Sequence, residues 1–276
     1  MGTLYVVATP IGNLEDITLR ALAVLREAAL VLAEDTRHTR VLLSRHGIAQ
    51  RPLSLHAHNE AARTQQVLAV LAAGQAVALV SDAGTPLVSD PGERLVARAI
   101  ADGRRVVPVP GASAVLGALV ASGLPTESFT FVGFLPRRAG ERARRLARLA
   151  ERPETLVLFE SPRRIGALLR ELAEVFGERR ACLARELTKL HEELARGTLA
   201  ELAARFADGA RGEITLVVAG ASPAARVAAS EEELRVRVRE RLGAGVSARD
   251  LARQLADETG ASRRILYALA VEEAGR

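Results

Sequence analysis

The chain has no tryptophan, two tyrosines and six phenylalanines in 276 residues, which excludes a broad aromatic platform for stacked bases. Its one cysteine, Cys182, excludes an intramolecular disulfide and a cysteine-built zinc site, and it points to a reducing compartment. Five histidines with a single His-x-His pair, His56 and His58, make a poor metal case, so no metal is expected. Neither GxGxxG nor GxxxxGK[ST] occurs, which removes the main support for dinucleotide and P-loop readings. The opening "MGTLYVVATPIGN" has no basic segment before a run too short for a signal or a span, so the expectation is a cytosolic protein without a membrane partner. Lysine is the most telling scarcity. Of 38 basic residues all but Lys189 are arginine. Coding bias explains the arginines but not the surviving lysine, and an ammonium and a guanidinium differ where pKa or geometry matters.

What is present is a chain long enough for two domains, 49% apolar and 26% charged. "TLYVVA" (3–8), "ALVLAE" (29–34), "PLSL" (52–55), "AVALVS" (76–81) and "RVVPVP" (105–110) read as strands, with helical patterns between them. Such alternation predicts a parallel sheet covered on both faces, with ligands at the strands' C-terminal edge. A second block carries "FTFVGFL" (129–135), a basic helix, "ETLVLFE" (154–160), a helix in "SPRRIGALLRELAEVFG", "RACLARE" (180–186), a short helix near 198–208 and "EITLVVAG" (213–220). The expected organisation is an α/β domain over 1–122, a second over 123–222, a linker within "ASPAARVAAS" (221–230) and a helical tail over 231–276 resembling a helix-turn-helix. Ser247 and Ser262 read as N-caps in that tail. There is no internal repeat.

Three strand ends carry unusual loops: "TPIGN" (9–13), "SDAGTPLVSDPG" (81–92) and "PGASA" (110–114). Each sets proline beside glycine or close to it, which fixes φ and lets a ligand approach the backbone. One such loop is ordinary punctuation; three on one sheet edge suggest a site. Between Arg137 and Arg152, seven arginines face two glutamates, which accounts for the whole +5 net charge. That segment reads either as a solvated helix face or as a phosphate-contacting patch.

"ATPIGNLEDITLRAL", "AEDTRHT", "SLHAHNE", "SDAGTPLVSDPG", "VPGASA", "FESPRRI", "ARELTKLHEE" and "GEITLVVAG" together resemble the small-subunit ribosomal RNA methyltransferases related to the tetrapyrrole methylases. The similarity runs in order from Leu4 to Gly220. It implies a two-domain fold of tetrapyrrole-methylase type with S-adenosylmethionine in the cleft between domains. It also implies a homodimer and 2′-O-methylation of a cytidine in the decoding region of 16S rRNA within the small ribosomal subunit. By that resemblance Asp82, Gly84, Thr85 and Val88 would line the cofactor, with Pro10 and Gly12 on one side, Ala112 and Ser113 on another, and Phe159 and Thr215 from the second domain.

A ribose hydroxyl needs its proton taken or its oxygen polarised. Glu34, Asp35, Arg37 and His38 follow the second strand, His56, His58, Asn59 and Glu60 the third, and Glu186, Lys189 and His191 the segment "RACLARE". A deprotonated Lys189 or His56 is the expected base, with Asp35 and Glu186 as further catalytic candidates. Each has a plainer alternative: Asp35 and Asn59 also read as helix caps. Phosphate contacts are expected from Arg37, Arg137, Arg138, Arg144, Arg145, Arg163 and Arg164, and from Arg263 and Arg264 at the start of the last helix. A corrin-precursor methyltransferase and a non-catalytic ribosome assembly factor stay open as alternatives.

Overall fold

The computed structural model describes residues 2–56, 59–221, 231–259 and 261–274. His58, most of the expected linker and the glycine of the expected tail turn lie outside the described residues. The first sheet holds β1 (Thr3–Val7), β2 (Leu30–Ala33), β3 (Leu53–Ser54), β4 (Val77–Val80) and β5 (Arg105–Val109) in the order β3-β2-β4-β1-β5, every pairing parallel. The connecting helices are α1 (Leu19–Glu27), α2 (Thr36–Arg45), α3 (Glu60–Ala72) and α4 (Glu93–Ala101). Leu22, Leu25 and Leu43 pack on one face with Val7 and Val31; Val67, Leu71 and Leu95 pack on the other with Leu4 and Leu32. Burial on both faces is why these strands read as unbroken apolar runs.

The second sheet holds β6 (Phe129–Phe134), β7 (Thr155–Glu160), β8 (Arg180–Arg185), β9 (Glu193–Thr198) and β10 (Ile214–Val218), ordered β6-β7-β10-β8-β9. Only β6 and β7 run parallel; the other three pairings are antiparallel. Its helices are α5 (Ala114–Ser122), α6 (Ala139–Ala150), α7 (Ile165–Phe176) and α8 (Leu199–Arg205), and the tail adds α9 (Glu231–Gly243), α10 (Ala248–Thr259) and α11 (Arg263–Ala274). Two of these elements escape the sequence pattern. α5 is apolar all round and so shows no helical period, and edge strand β9 buries only small residues, Ala195 and Gly197.

The boundary expected at 122/123 follows α5 in sequence, yet Val115, Ala118 and Leu119 of α5 pack on Val157, Cys182 and Val217 of the second sheet. Chain contacts define two compact units. Both sheets belong to the first, Met1–Leu146 with Thr155–Ala219; the second comprises Ala147–Glu154 with Gly220–Arg276. The second unit has its own core of Leu234, Val238, Leu251, Leu255, Leu266 and Leu269. Ser247 caps α10 through its hydroxyl, which accepts from Asp250 N at 3.2 Å. Among the described residues no helix is long and apolar enough to cross a membrane.

Candidate active site

The proline-glycine loops are stitched together at the strand ends. Thr9 and Gly84 exchange backbone bonds, Thr9 N to Gly84 O at 2.8 Å and Gly84 N to Thr9 O at 3.0 Å. The Thr9 hydroxyl donates to Ser81 O at 3.1 Å and the Ser81 hydroxyl to Gly84 O at 3.1 Å. Gly84 has φ +79°, and a Cβ there would come within 3.3 Å of Ile11. Asp82 Oδ1 accepts from Asp35 N at 2.8 Å, tying the long loop to the start of α2. The same loop holds Leu87 and Ser89 at φ +74° and +72°. Across the cleft, Glu186 and Thr188 take φ +51° and +66°. Among the described residues these four are the non-glycine positions in left-handed backbone, and they mark strain in two loops.

These loops and the second sheet enclose a cavity of ≈ 440 Å³. Asp82, Gly84, Thr85 and Val88 line it from the first sheet's loop, Ser113 from the start of α5, and Phe159 and Thr215 from the second sheet. Phe159 is held edge-on by Phe131, ring centroids 5.1 Å apart, and tilted against Phe134 at 5.6 Å. Pro10 and Gly12 instead line an adjoining cavity of ≈ 390 Å³ that includes Lys189 and His38. Ile11, Asp82, Ala83 and Glu213 belong to both walls. Ala112 lines neither, although its carbonyl oxygen lies 3.8 Å from where a Gly84 Cβ would sit.

Lys189 lies in the second cavity with Nζ 2.8 Å from Glu186 Oε1 and 3.0 Å from Glu213 Oε2. Burial alone would lower its pKa, but the bonds to the two carboxylates outweigh it and raise the value. Two carboxylate acceptors thus favour the ammonium over the deprotonated Lys189 expected from the sequence. Glu186, drawn down by Lys189 and by the Glu213 N–H, acts as its anchor. Neither cavity is lined by His56, whose backbone N–H donates to Asn59 Oδ1 at 2.9 Å. Asp35 takes the plainer role. It caps α2 by accepting from Arg37 N at 2.8 Å, and the Arg37 guanidinium holds its carboxyl far below the usual range.

The arginines divide in the same way. Arg37, although exposed, pairs with Asp35, Arg138 lies 3.3 Å from Glu141, and Arg164 lies 3.1 Å from the buried Glu160. Arg142 forks onto Glu171 at 2.6 Å and donates to Arg137 O, a fold-building pair inside the basic helix. Arg137, Arg138, Arg144, Arg145, Arg163, Arg263 and Arg264 are all exposed.

The lining residues of the first cavity that sequence reasoning missed include Asp90, Glu160, Leu187 and Glu213. Asp90 and Glu160 lie inside quoted motifs, "SDPG" and "FESPRRI", and their acidity was the available signal. Burial, then the nearby Glu34, pushes Asp90 up to about 6. Burial, then Asp82 and Asp35, raises Glu34. Among the described residues no group of His, Cys, Asp and Glu is arranged to hold a metal ion.

A parallel sheet and a mixed sheet with strained loops around a shared cleft are the frame of a methylase. Residues 3–203 match the family of tetrapyrrole (corrin/porphyrin) methylases. Uroporphyrin-III C-methyltransferase of Thermus thermophilus shares the fold at TM-score 0.57 and 27% identity, over 79% of this chain and 94% of that one. A further structure of that enzyme, complexed with S-adenosyl homocysteine, aligns at TM-score 0.58 and 23% identity, over 79% of this chain and 97% of the other. Ribosomal RNA small subunit methyltransferase I of Synechocystis is 47% identical over 99% of this chain and 98% of its own length. The protein of that name from Pseudomonas aeruginosa is 46% identical over 100% and 99%. The chain belongs to the ribosomal RNA small subunit methyltransferase I family of tetrapyrrole-type methylases.

Proposed function

We propose that this chain transfers a methyl group from S-adenosylmethionine to the ribose 2′-oxygen of a cytidine in the decoding region of 16S rRNA, acting in the cytoplasm on the small ribosomal subunit as a homodimer. The carrying observation is the pair of adjoining cavities that share Ile11, Asp82, Ala83 and Glu213. Donor and acceptor must approach in line across a short wall, and such positioning accounts for up to ~7–11 kcal/mol of a barrier.

The first cavity suits the cofactor. Its wall is apolar at Val88, Phe159 and Ile214, glycine at 84 admits close approach, and its ionisable residues are all acidic. That is the complement of a sulfonium. S-adenosylmethionine, when bound there, supplies an electrophilic methyl that needs no metal. The protein's own part is positional and electrostatic. The Thr9–Gly84 bridge fixes the two loops, and the Asp82–Asp35 bond fixes the shared wall. Lys189, kept as an ammonium, stabilises negative charge developing on the acceptor oxygen. As the new O–C bond forms, the hydroxyl proton leaves to a carboxylate of the shared wall, Asp82 or Glu213.

The exposed arginines supply phosphate contacts that orient the RNA without reading its sequence. α5 supports a dimer: its inner face is buried, while Leu116 and Val120 on its outer face are 53% and 73% exposed. A helix apolar all round is at home in a buried setting. Radiolabelled cofactor incubated with small subunits lacking the modification tests the reading. Label mapped to one cytidine 2′-oxygen is expected; label on a base, or none despite cofactor binding, overturns it.

A further inference from the structure

Among the described residues, the ionisable groups lining the first cavity are Glu34, Asp82, Asp90, Glu160 and Glu213, and no lysine, arginine or histidine joins them. In a chain with 38 basic residues and net charge +5, this acidity is not compositional. Two of the five already have a cation: Arg164 lies 3.1 Å from Glu160, and Lys189 lies 3.0 Å from Glu213. The other three converge from two strand ends, Glu34 behind β2 and Asp82 with Asp90 in the loop behind β4. We propose that Glu34, Asp82 and Asp90 read the charge of the bound cofactor, holding the sulfonium donor and releasing the uncharged thioether product.

The inference rests on the reading of this cavity as the S-adenosylmethionine site. Donor and product share the adenosine and amino-acid parts and differ by one methyl and one positive charge. Contacts to the shared parts cannot separate them, whereas an anionic wall can. The apolar side chains of Val88, Phe159 and Ile214 offer the sulfonium no competing polar partner, so the carboxylates are its electrostatic complement. Stabilising the sulfonium before reaction does not speed the chemical step. Its benefit is occupancy by donor and relief from product inhibition.

The groups around these carboxylates leave the charge largely uncancelled. Asp35 is locked to Arg37, and His38 Nδ1 lies 3.6 Å from Asp82 Oδ2 on the side of the adjoining cavity. His56 lowers Glu34 only as the smallest of four influences, and Ser81 lowers Asp90 less than burial and Glu34 raise it. The start of α4, two residues beyond Asp90, has the N–H groups of Arg94 and Leu95 taken by Glu60 of α3. Burial and mutual repulsion push Asp90 up to about 6 and raise Glu34. A bound cation reverses that repulsion, so cation binding must release protons from the wall below neutral pH.

Calorimetric titration of the full chain between pH 5 and pH 8 tests this with three probes: S-adenosylmethionine, S-adenosylhomocysteine and sinefungin, which carries an ammonium in place of the methylsulfonium. The two cationic probes should bind up to about tenfold more tightly at pH 8 than at pH 5, with a midpoint near 6 set by Asp90. Homocysteine-product affinity should stay flat, and protons should be released only with the cationic probes. Asp90→Asn and Glu34→Gln, each near-isosteric and checked by thermal melting, should lower affinity for the cationic probes by about fivefold or more and for the product by less than about twofold. Equal affinities for donor and product in the wild-type chain at pH 8 would overturn the inference, as would variants that weaken all three probes alike. Binding of none of the three would overturn the cofactor reading beneath it instead.

Discussion

At the scale of single residues, the surviving lysine is explained by what surrounds it. Lys189 sits between two acceptors, Glu186 and Glu213, and its stem lies against Gly12. A Cβ at Gly12 would fall 2.5 Å from Lys189 Cγ and 2.9 Å from Leu187 O, and the carbonyl belongs to backbone that cannot step aside cheaply. Gly12→Ala should therefore displace the ammonium and lower kcat by about 100-fold, the scale of a misplacement near 1 Å. Lys189→Met should lose a similar amount. If the glycine acts through the lysine, the double variant should lose no more than either single one. Steady-state kinetics on small subunits measures all three, and additive losses would separate Gly12 from Lys189.

At the scale of elements, the long loop after β4 needs a firm base because Leu87 and Ser89 are strained. Part of that base is Glu60. Only 6% exposed, it accepts from Arg94 N at 3.1 Å and Leu95 N at 3.3 Å, capping α4 from another helix. α4 needs the loan because its own N-cap is Gly92, which has no side chain and sits at φ +120° against Leu79. Glu60→Ala leaves the buried Leu95 N–H and the half-buried Arg94 N–H without that acceptor, and urea unfolding should register a loss of ~1–3 kcal/mol. Donor affinity should fall with it as the loop loosens. The roles of Asp35 and Asn59 also belong to this scale. Asp35 is a cap in fact, whereas Asn59 makes no side-chain cap bond and uses its amide to hold Ser54 O and His56 N.

For the whole molecule, the contrast is between an acidic cavity and an arginine-rich exterior. Arg144→Glu with Arg145→Glu should weaken small-subunit binding and reduce the slope of log K against log salt by roughly one for each lost phosphate contact. Donor affinity should be untouched, since neither residue lines the cavity. Filter binding over a salt series reads the slope. An unchanged slope would return this segment to a solvated helix face. Arg142→Ala is a different case. It strands Glu171 and should cost stability before it costs RNA affinity, because a half-buried ion pair that loses one partner leaves a charge behind.

Much of this molecule was legible in its sequence for local reasons. Strand ends, proline-glycine loops and N-caps are set by residues within a few positions of one another. The first sheet and the loops at 81–92 and 9–13 could therefore be read before any contact was known. The motif string also carried the family. What the sequence left hidden was decided by distant neighbours. α5 lacks a helical period because it is apolar on every side, and β9 lacks strand alternation because small residues fill its inward positions. Lys189 reads as a free candidate base in isolation; Glu186 together with Glu213, 24 positions away, makes its proton hard to remove. Asp90 and Glu34 are ordinary carboxylates by sequence, 56 positions apart by their numbering. Folding brings both to the cavity wall beside Asp82, and that proximity gives the cavity its charge. Which acids meet, and which arginines are consumed in pairs, follows from through-space electrostatics that only the tertiary structure sets.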